Sequence, residues 1–203
     1  MKERPILFSG PMVRAILEGR KTVTRRVMKP QPDFLGSMVD PNTPFKTLDA
    51  GLHARITCPY GKPGDRLWVR ESFAECYDYC DHPEMPGAPT EHFHLGWHYR
   101  ADGEPKREEL DGFLSHWKPS IHMPRWASRI LLEITAVRVE RLQDITEDQA
   151  IAEGIDTHPM GFYGNGCITA GGAFLELWES INGDGRWAAN PWVWVVEFKR
   201  VTP

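Results

Sequence analysis

The segment Gly19-Arg20-Lys21-Thr22-Val23-Thr24-Arg25-Arg26 is where the sequence predicts the change from a helix to a strand. Apolar residues in Met12–Leu17 are spaced to share one face of a short amphipathic helix, and Gly19 favours the end of that helix. The stretch Thr22–Val27 is β-prone but heavily charged, so it predicts an extended segment that leaves the helix.

The residue types in this segment allow three interpretations. Lys21 lies three positions before Thr24, and a lysine with a lowered pKa can act as a base toward a neighbouring hydroxyl. Nearby cations lower such a pKa because they disfavour the ammonium form, and the neighbours here are Arg20, Arg25 and Arg26. The same cations can instead bind phosphate groups. On spacing alone, a basic turn on the surface with a β-prone threonine is the favoured interpretation.

Charge is unevenly distributed along the 203 residues. The formal net charge of −4 argues against a protein that coats duplex nucleic acid through bulk positive charge. Between Arg14 and Lys29, however, six basic residues stand against one acidic residue. A local basic patch of this kind suits a small anionic ligand, a nucleotide or a short single strand.

The sequence predicts a cytoplasmic protein with no membrane association. Residues 1–13 contain no long apolar run of the kind found in secretory signals. No stretch approaches the ~18 uninterrupted apolar residues of a transmembrane helix. The four cysteines are irregularly spaced, which is typical of reduced thiols. The oligomeric state is left open by these features.

The order of predicted elements indicates an α+β fold, namely a small mixed β-barrel with peripheral helices in a single domain over residues 1–203. Two stretches without clear periodicity, 28–62 and 74–120, are predicted as long loop insertions, although His94–Arg100 is strand-like. A slip in the alternation of the long central strand predicts a β-bulge. The predicted strands are Ile6–Phe8, Arg66–Phe73, Arg129–Leu142 and Trp192–Phe198, and the later helices are Thr146–Glu153 and Ala173–Asn182.

The pattern Gly19-x-Lys21-x-x-Thr24-x-Arg26 resembles the G-x-K-x-x-E-x-R signature of the ASCH family. The stretches Cys58–Asp65 and Ile121–Trp126 are similar to those of uncharacterised ASCH proteins from phages and prophages. This resemblance implies a PUA-like β-barrel, a fold associated with RNA, to which 28–62 and 74–120 are insertions.

Thr24 stands where the family usually has glutamate, and in this it resembles the small bacterial ASCH enzymes that remove the acetyl group from N4-acetylcytidine. The resemblance implies a catalytic set of Lys21, Thr24 and Glu153, with Glu147 as an alternative match for the glutamate. Thr24 would attack the acyl group or hold a water, Lys21 would be the base, and Glu153 would orient Lys21 or pass a proton to the leaving amine. The implied reaction is hydrolysis of an N-acyl group on a modified cytidine nucleoside, without a cofactor.

A non-catalytic ASCH module that binds RNA, or single-stranded or modified nucleic acid, is the alternative function. A nuclease is a third, but no acid–base pair or metal site for it is identifiable. Trp126 is the tryptophan expected to be exposed, where it could stack on a base, while either Arg70 or Glu71 is expected to enter a pocket or to lie at the surface. The candidate ligand-binding residues are Arg20, Arg25, Arg26, Arg70, Glu71 and Trp126.

The motif Cys76-x-x-x-Cys80-x-His82 is the nearest approach to a metal site. Its spacing matches no standard zinc finger, so no metal is expected. A polar loop with free thiols is the competing interpretation.

Overall fold

The computed structural model describes residues 1–36, 40, 42–48, 51–78, 94–105 and 112–201. The chain divides into two compact units. The first unit contains Met1–Arg4, Ala15–Leu67 and Leu131–Pro203, and the second contains Pro5–Arg14 and Trp68–Ile130. Strands predominate and do not alternate regularly with helices, so the predicted α+β class is confirmed. A single domain over residues 1–203 and a closed barrel stay predictions.

None of the helices that the structure describes is both long and apolar enough to cross a membrane. In chain order the elements are β1 (Glu3–Leu7), α1 (Gly10–Leu17), β2 (Val23–Val27), β3 (Phe34–Leu35), β4 (Pro44–Thr47), β5 (His53–Arg55), β6 (Arg66–Arg70), β7 (Phe73–Asp78), β8 (His94–Tyr99), β9 (Gly112–Leu114), β10 (Leu131–Arg141), α2 (Glu147–Ala152), α3 (Ala170–Asn182) and β11 (Trp192–Val201).

The largest sheet has the strand order β1-β6-β10-β11-β2. Strand β10 pairs antiparallel with β11, and the register shifts between Ile134 and Ala136, where the sequence predicts a bulge. Strand β2 lies antiparallel to the other side of β11, with Arg25 opposite Val195. Because side chains alternate along a strand, Thr24 and Arg26 face away from the side that carries Arg25.

Helices α2 and α3 cover one face of β2 and β11. Their buried side chains form one core cluster with Val23, Val193 and Val195, all on the face that carries Arg25. Thr146 caps α2 and forms a capping box with Gln149. These contacts fix α2 against β2, which positions the candidate site described below.

The two stretches predicted as loop insertions contain strands, so that prediction is wrong for them. Strands β3, β4 and β5 form a three-stranded sheet within 28–62, and β7, β8 and β9 form another within 74–120. The single strand predicted over Arg66–Phe73 is interrupted, since β6 ends at Arg70 and β7 begins at Phe73. The stretch His94–Arg100, predicted to be strand-like, is confirmed as β8, whereas strands of two or three residues are too short to show a period in the sequence.

The second unit has its own small core under the sheet of β8-β7-β9. Phe73, Met123 and Ala127 are buried together, and the half-buried rings of Trp97 and Tyr99 pack against them. Apolar contact with this core therefore fixes the two aromatic residues of β8.

Candidate functional site

Lys21 and Glu153 meet in the first unit, where α2 ends beside the segment that precedes β2. The Lys21 ammonium group donates to Glu153 Oε2 and to the Glu153 carbonyl oxygen, each over 2.7 Å, and to the Val23 carbonyl oxygen over 2.8 Å. Gly154 follows with φ 92°, and a Cβ there would lie 2.9 Å from Ala15 Cβ. Only glycine lets these segments approach so closely.

Burial is the largest influence on Lys21. It lowers the pKa of the Lys21 ammonium, while the contact with Glu153 acts in the opposite direction and the nearby Arg26 and Arg25 lower it by smaller amounts. The lowering that the sequence predicts from neighbouring cations is thus mainly an effect of desolvation. The side chain of Arg20 instead bonds Glu18 over 2.6 Å and Asp156 over 3.0 Å.

Arg25 extends the buried network rather than facing a ligand. Its guanidinium donates to Glu153 Oε1 over 3.4 Å, to Gln149 Oε1 over 2.7 Å and to Glu140 Oε2 over 3.1 Å. The side chain is fully buried. These contacts join β2, β10 and α2, so the observed role of Arg25 is to hold the elements around Lys21 together.

Thr24 and Glu147 lie outside this network. Thr24 is 3% exposed and, by strand alternation, faces the opposite side of β2 from α2. Glu147 accepts hydrogen bonds from the backbone nitrogens of Ala170, over 2.6 Å, and Gly171, over 3.1 Å, at the start of α3. The structure therefore brings Lys21 together with Glu153 and directs the Thr24 side chain away from them.

A cavity of about 680 Å³ lies on the other face of the sheet, the face that carries Val139 and Trp194. Trp194 is the register partner of Arg26, so half-buried Arg26 and Thr24 belong to this face as well. The cationic residues that line the cavity are Lys2, Arg4, Arg55, Lys62 and Arg138, and the acidic residues Asp40 and Asp65 line it as well. Arg138 is the register partner of Val195, so its side chain lies on the helix-covered face of the sheet.

Three of these cations are available to a ligand. Arg4 pairs with Asp65 over 3.1 Å, and Arg138 bonds Glu140 and Glu197. Within the part of the chain that the structure describes, the exposed cations of Lys2, Arg55 and Lys62 form no ion pair. Unpaired cations around a concavity favour the binding of an anion.

The sheet of β3, β4 and β5 places aromatic rings on the same face as one of those cations. Phe34 and Phe45 stack with centroids 5.4 Å apart and an interplanar angle of 13°. Arg55 is the register partner of Phe45, so its side chain projects from the face that carries both rings. Phe34 is 38% exposed and is accessible for stacking.

No family model, curated protein or solved structure matches this chain. Function is therefore inferred from its own residues. Sequence reasoning missed Lys2, Arg55 and Lys62, because they come from separate segments that form no motif. That none of the three pairs with a carboxylate among the described residues becomes visible only in the folded chain.

The other candidate residues lie in the second unit. The guanidinium of Arg70 lies 4.8 Å from the ring centroid of Trp68. Glu71 is buried and accepts from Arg129 Nε over 2.9 Å, and burial is the largest cause of the raised pKa of its carboxyl. Glu71 therefore fixes the position of the Arg129 guanidinium. Trp126 is 70% exposed, as predicted.

The metal candidates are only partly described. Cys76 is buried, whereas Cys80 and His82 lie outside the described residues. Among the residues that are described, no three histidine, cysteine or acidic side chains are grouped so as to hold a metal ion.

Proposed function

We propose that the first unit binds nucleotide phosphates, as part of an RNA or another single-stranded nucleic acid, in the cavity beside Trp194. The observation that carries this proposal is the set of three exposed cations, Lys2, Arg55 and Lys62, that line the cavity and form no ion pair with any residue that the structure describes. A volume of about 680 Å³ falls within the usual range for ligand pockets. Cationic side chains around such a pocket attract phosphate more strongly than a neutral ligand.

The neighbouring aromatic pair favours a nucleotide over inorganic phosphate. Phe34 stacks on Phe45, and Arg55 projects from the same face of that sheet. A base can stack on the exposed ring of Phe34 while its phosphate contacts the Arg55 guanidinium. Aromatic platforms beside cationic grooves are the usual means of binding single strands without sequence preference.

Membership of the ASCH family and a PUA-like barrel are part of the same proposal. The segment Gly19–Arg26 stands at the junction of α1 and β2, where the signature would place it. The contact of Lys21 with Glu153 gives the signature lysine a partner at the C-terminal end of α2. Both features support a fold like that of the ASCH family, for which RNA is a suitable ligand.

The test is a titration of labelled single-stranded RNA against the wild type and an Arg55→Ala/Lys62→Ala double variant. We expect the double variant to bind at least about tenfold more weakly, because two phosphate contacts are lost. Lys199→Ala/Arg200→Ala is the matched control, since it removes the same charge from exposed residues that do not line the cavity. An equal loss in the two double variants would refute a specific cavity site.

Hydrolysis of an N-acyl group on a modified cytidine nucleoside is the second candidate. The observation that favours it is the 2.7 Å contact between Lys21 and Glu153, with Thr24 three residues further along. Water would add across the amide bond, its hydroxyl going to the acyl carbon and its proton to the leaving amine. The described geometry requires Thr24 to turn toward Lys21 before this chemistry can begin.

This second candidate is tested by incubating the protein with N4-acetylcytidine and following the release of cytidine by chromatography. Loss of turnover in Thr24→Ala at an unchanged melting temperature would support it, and a loss in Lys21→Ala would add to that support where this variant is shown to remain folded. Thr24→Ser is the informative control, since it keeps a hydroxyl group. An absence of turnover in folded wild-type protein would exclude the hydrolase and leave the binding function in place.

A further inference from the structure

A second, smaller cavity of about 150 Å³ lies in the first unit, where α2, β2, β10 and β11 meet. Its volume is well below the usual range for drug-sized ligands, so this small pocket suits an occupant of only a few heavy atoms. Lys21, Thr24 and Glu153 are not among the described residues that line it. The polar residues that do line it are Thr22, Thr135, Arg138, Gln149 and Glu197.

The β-bulge of β10 brings a hydroxyl group to the small pocket. Ile134 pairs with Phe198 and Ala136 with Glu197, so Thr135 is the extra residue of the bulge. An extra residue bends the strand and redirects its own side chain, and bulges are common beside active sites for that reason. The side chain of Thr135 forms no hydrogen bond with any residue that the structure describes, so its hydroxyl is available to an occupant.

The amide group of Gln149 is held in one orientation. Its Oε1 accepts from Arg25 Nη2 over 2.7 Å and from the Thr146 backbone nitrogen over 3.1 Å. Both partners can only donate, so the oxygen of the amide must face them and Nε2 takes the other side. Nε2 donates to none of the described residues, although the side chain is half-buried. Two fixed N–H groups are therefore left for an acceptor in the small pocket, and a carbonyl oxygen is such an acceptor.

The charges beside the small pocket balance one another. The network contains three cations and three carboxylates, those of Lys21, Arg25, Arg138, Glu140, Glu153 and Glu197. Each member contacts at least one partner of opposite sign, so no net charge remains to attract an ion. A neutral occupant is therefore favoured over a phosphate, a carboxylate or an ammonium group.

Glu197 supplies the acceptor that completes the small pocket. Arg138 donates to Glu197 Oε1, and Glu197 Oε2 accepts from none of the residues that the structure describes. An ionised carboxylate can only accept, so the occupant must offer it a donor. A molecule that has both a carbonyl oxygen and an N–H group satisfies Gln149 and Glu197 together.

We propose that the small pocket binds a small neutral molecule in which a carbonyl group stands beside an N–H group, as in a cyclic amide. The carbonyl oxygen accepts from Gln149 Nε2, and the N–H group donates to Glu197 Oε2. The hydroxyl groups of Thr22 and Thr135 can donate or accept, so they complete the polar contacts. The small pocket stands on its own observations and is separate from the cavity proposed for nucleotide phosphates.

The test is a heteronuclear NMR titration of the nitrogen-labelled protein with γ-butyrolactam, a cyclic amide of six heavy atoms. We expect a saturable shift of the Gln149 side-chain amide, with a dissociation constant on the order of 1–10 mM, as suits a ligand of this size. N-methyl-γ-butyrolactam lacks the N–H group and should bind about tenfold more weakly, because it cannot donate to the Glu197 carboxylate.

Gln149→Glu is the decisive variant. Its carboxylate can still accept from Arg25 and from the Thr146 backbone nitrogen, so we expect α2 and its capping box to be kept. It offers no N–H group to a carbonyl oxygen, so γ-butyrolactam should bind at least about tenfold more weakly, as measured at the backbone amide of Ala152. Asn165→Asp is the matched control, since it makes the same change from amide to acid at an exposed residue that does not line the small pocket. Unchanged melting temperatures establish that both variants fold.

Several outcomes overturn the proposal. Wild type that shows no saturable shift up to about 50 mM γ-butyrolactam would do so, since this is well above the expected dissociation constant. Equal binding of the two lactams, binding by Gln149→Glu within twofold of wild type, or an equal loss in Asn165→Asp would do the same. The Arg55→Ala/Lys62→Ala variant should bind γ-butyrolactam as wild type does. Failure of RNA binding would therefore refute the cavity function alone, whereas failure of lactam binding would refute only the small pocket.

Discussion

Lys21 Nζ donates to Glu153 Oε2 over 2.7 Å, and both side chains are buried. This contact joins the end of α2 to the segment that leads into β2. Arg25 bonds the other oxygen of the same carboxylate over 3.4 Å. Two cations therefore share one buried anion, and the stability of this region depends on all three charges being present.

Replacing Lys21 with methionine should destabilise the fold by about 3–5 kcal/mol, because Glu153 loses its closest cation inside the protein. Urea denaturation followed by circular dichroism measures the change. Lys199→Met is the matched control, since Lys199 pairs with Glu133 over 3.1 Å with its side chain 60% exposed, and it should cost only about 0–1 kcal/mol. Equal losses of unfolding free energy in the two variants would show that burial of the Lys21–Glu153 pair does not increase its contribution to stability.

Asp65 should make the stability depend on pH in the acidic range. Its carboxylate accepts from the Lys2 backbone nitrogen over 2.9 Å and from Arg4 over 3.1 Å, and the Lys2 hydrogen bond is the first cause of its lowered pKa. Its contribution is complete above the unfolded pKa of about 3.9 and is lost as the pH falls through the lower folded pKa. The difference in unfolding free energy between wild type and Asp65→Asn should therefore shrink below about pH 4. A difference that is independent of pH would contradict this assignment.

Glu147→Ala should cost about 1–2 kcal/mol, because its carboxylate caps the first backbone nitrogens of α3. Thermal unfolding measures the loss. Asp148→Ala is the natural control, since Asp148 lies in the same first turn of α2 and is exposed. If both variants lost the same stability, the effect would belong to the start of α2 and not to α3.

The dependence of RNA affinity on salt should report the cavity contacts. For a single strand, the slope of log K against log salt is about −0.7 for each phosphate neutralised, so Arg55→Ala/Lys62→Ala should flatten the slope by about 1.4. The Lys199→Ala/Arg200→Ala variant should leave the slope nearly unchanged. Anisotropy titrations at several salt concentrations provide the measurement, and identical slopes in all three proteins would count against a cavity site.

The sequence predicts the two long strands and the two later helices of the first unit, which are β10, β11, α2 and α3. The slip in alternation within β10 is the register shift between Ile134 and Ala136, and the helix predicted over Thr146–Glu153 is α2, Glu147–Ala152, with Thr146 as its N-cap. Helix α3 begins at Ala170, earlier than the predicted Ala173, because Thr169 caps it and Gly171 and Gly172 are accommodated in its first turn. Local signals of alternation and capping are strong enough to predict these elements.

The cavity and the small sheets could not be predicted in this way. Lys2, Arg55 and Lys62 are separated along the chain, and their common position depends on strand pairing over long sequence distances. Strand β3 has two residues and β5 has three, so neither contains a full alternation. Whether a cation has a carboxylate partner depends on the residues that folding brings beside it, so no local sequence pattern predicts it.

Strand β2 lies between the helix-covered core on one face of the sheet and the cavity on the other. Its odd-numbered residues Val23 and Arg25 belong to the helix-covered core, and its even-numbered residues Thr24 and Arg26 belong to the face of the cavity. A slip of one residue against β11 would exchange the two sets and remove Arg25 from its carboxylates. The ion pairs of Arg25 with Glu140 and Glu153 therefore help to fix the alignment of β2 against β11, in addition to apolar packing.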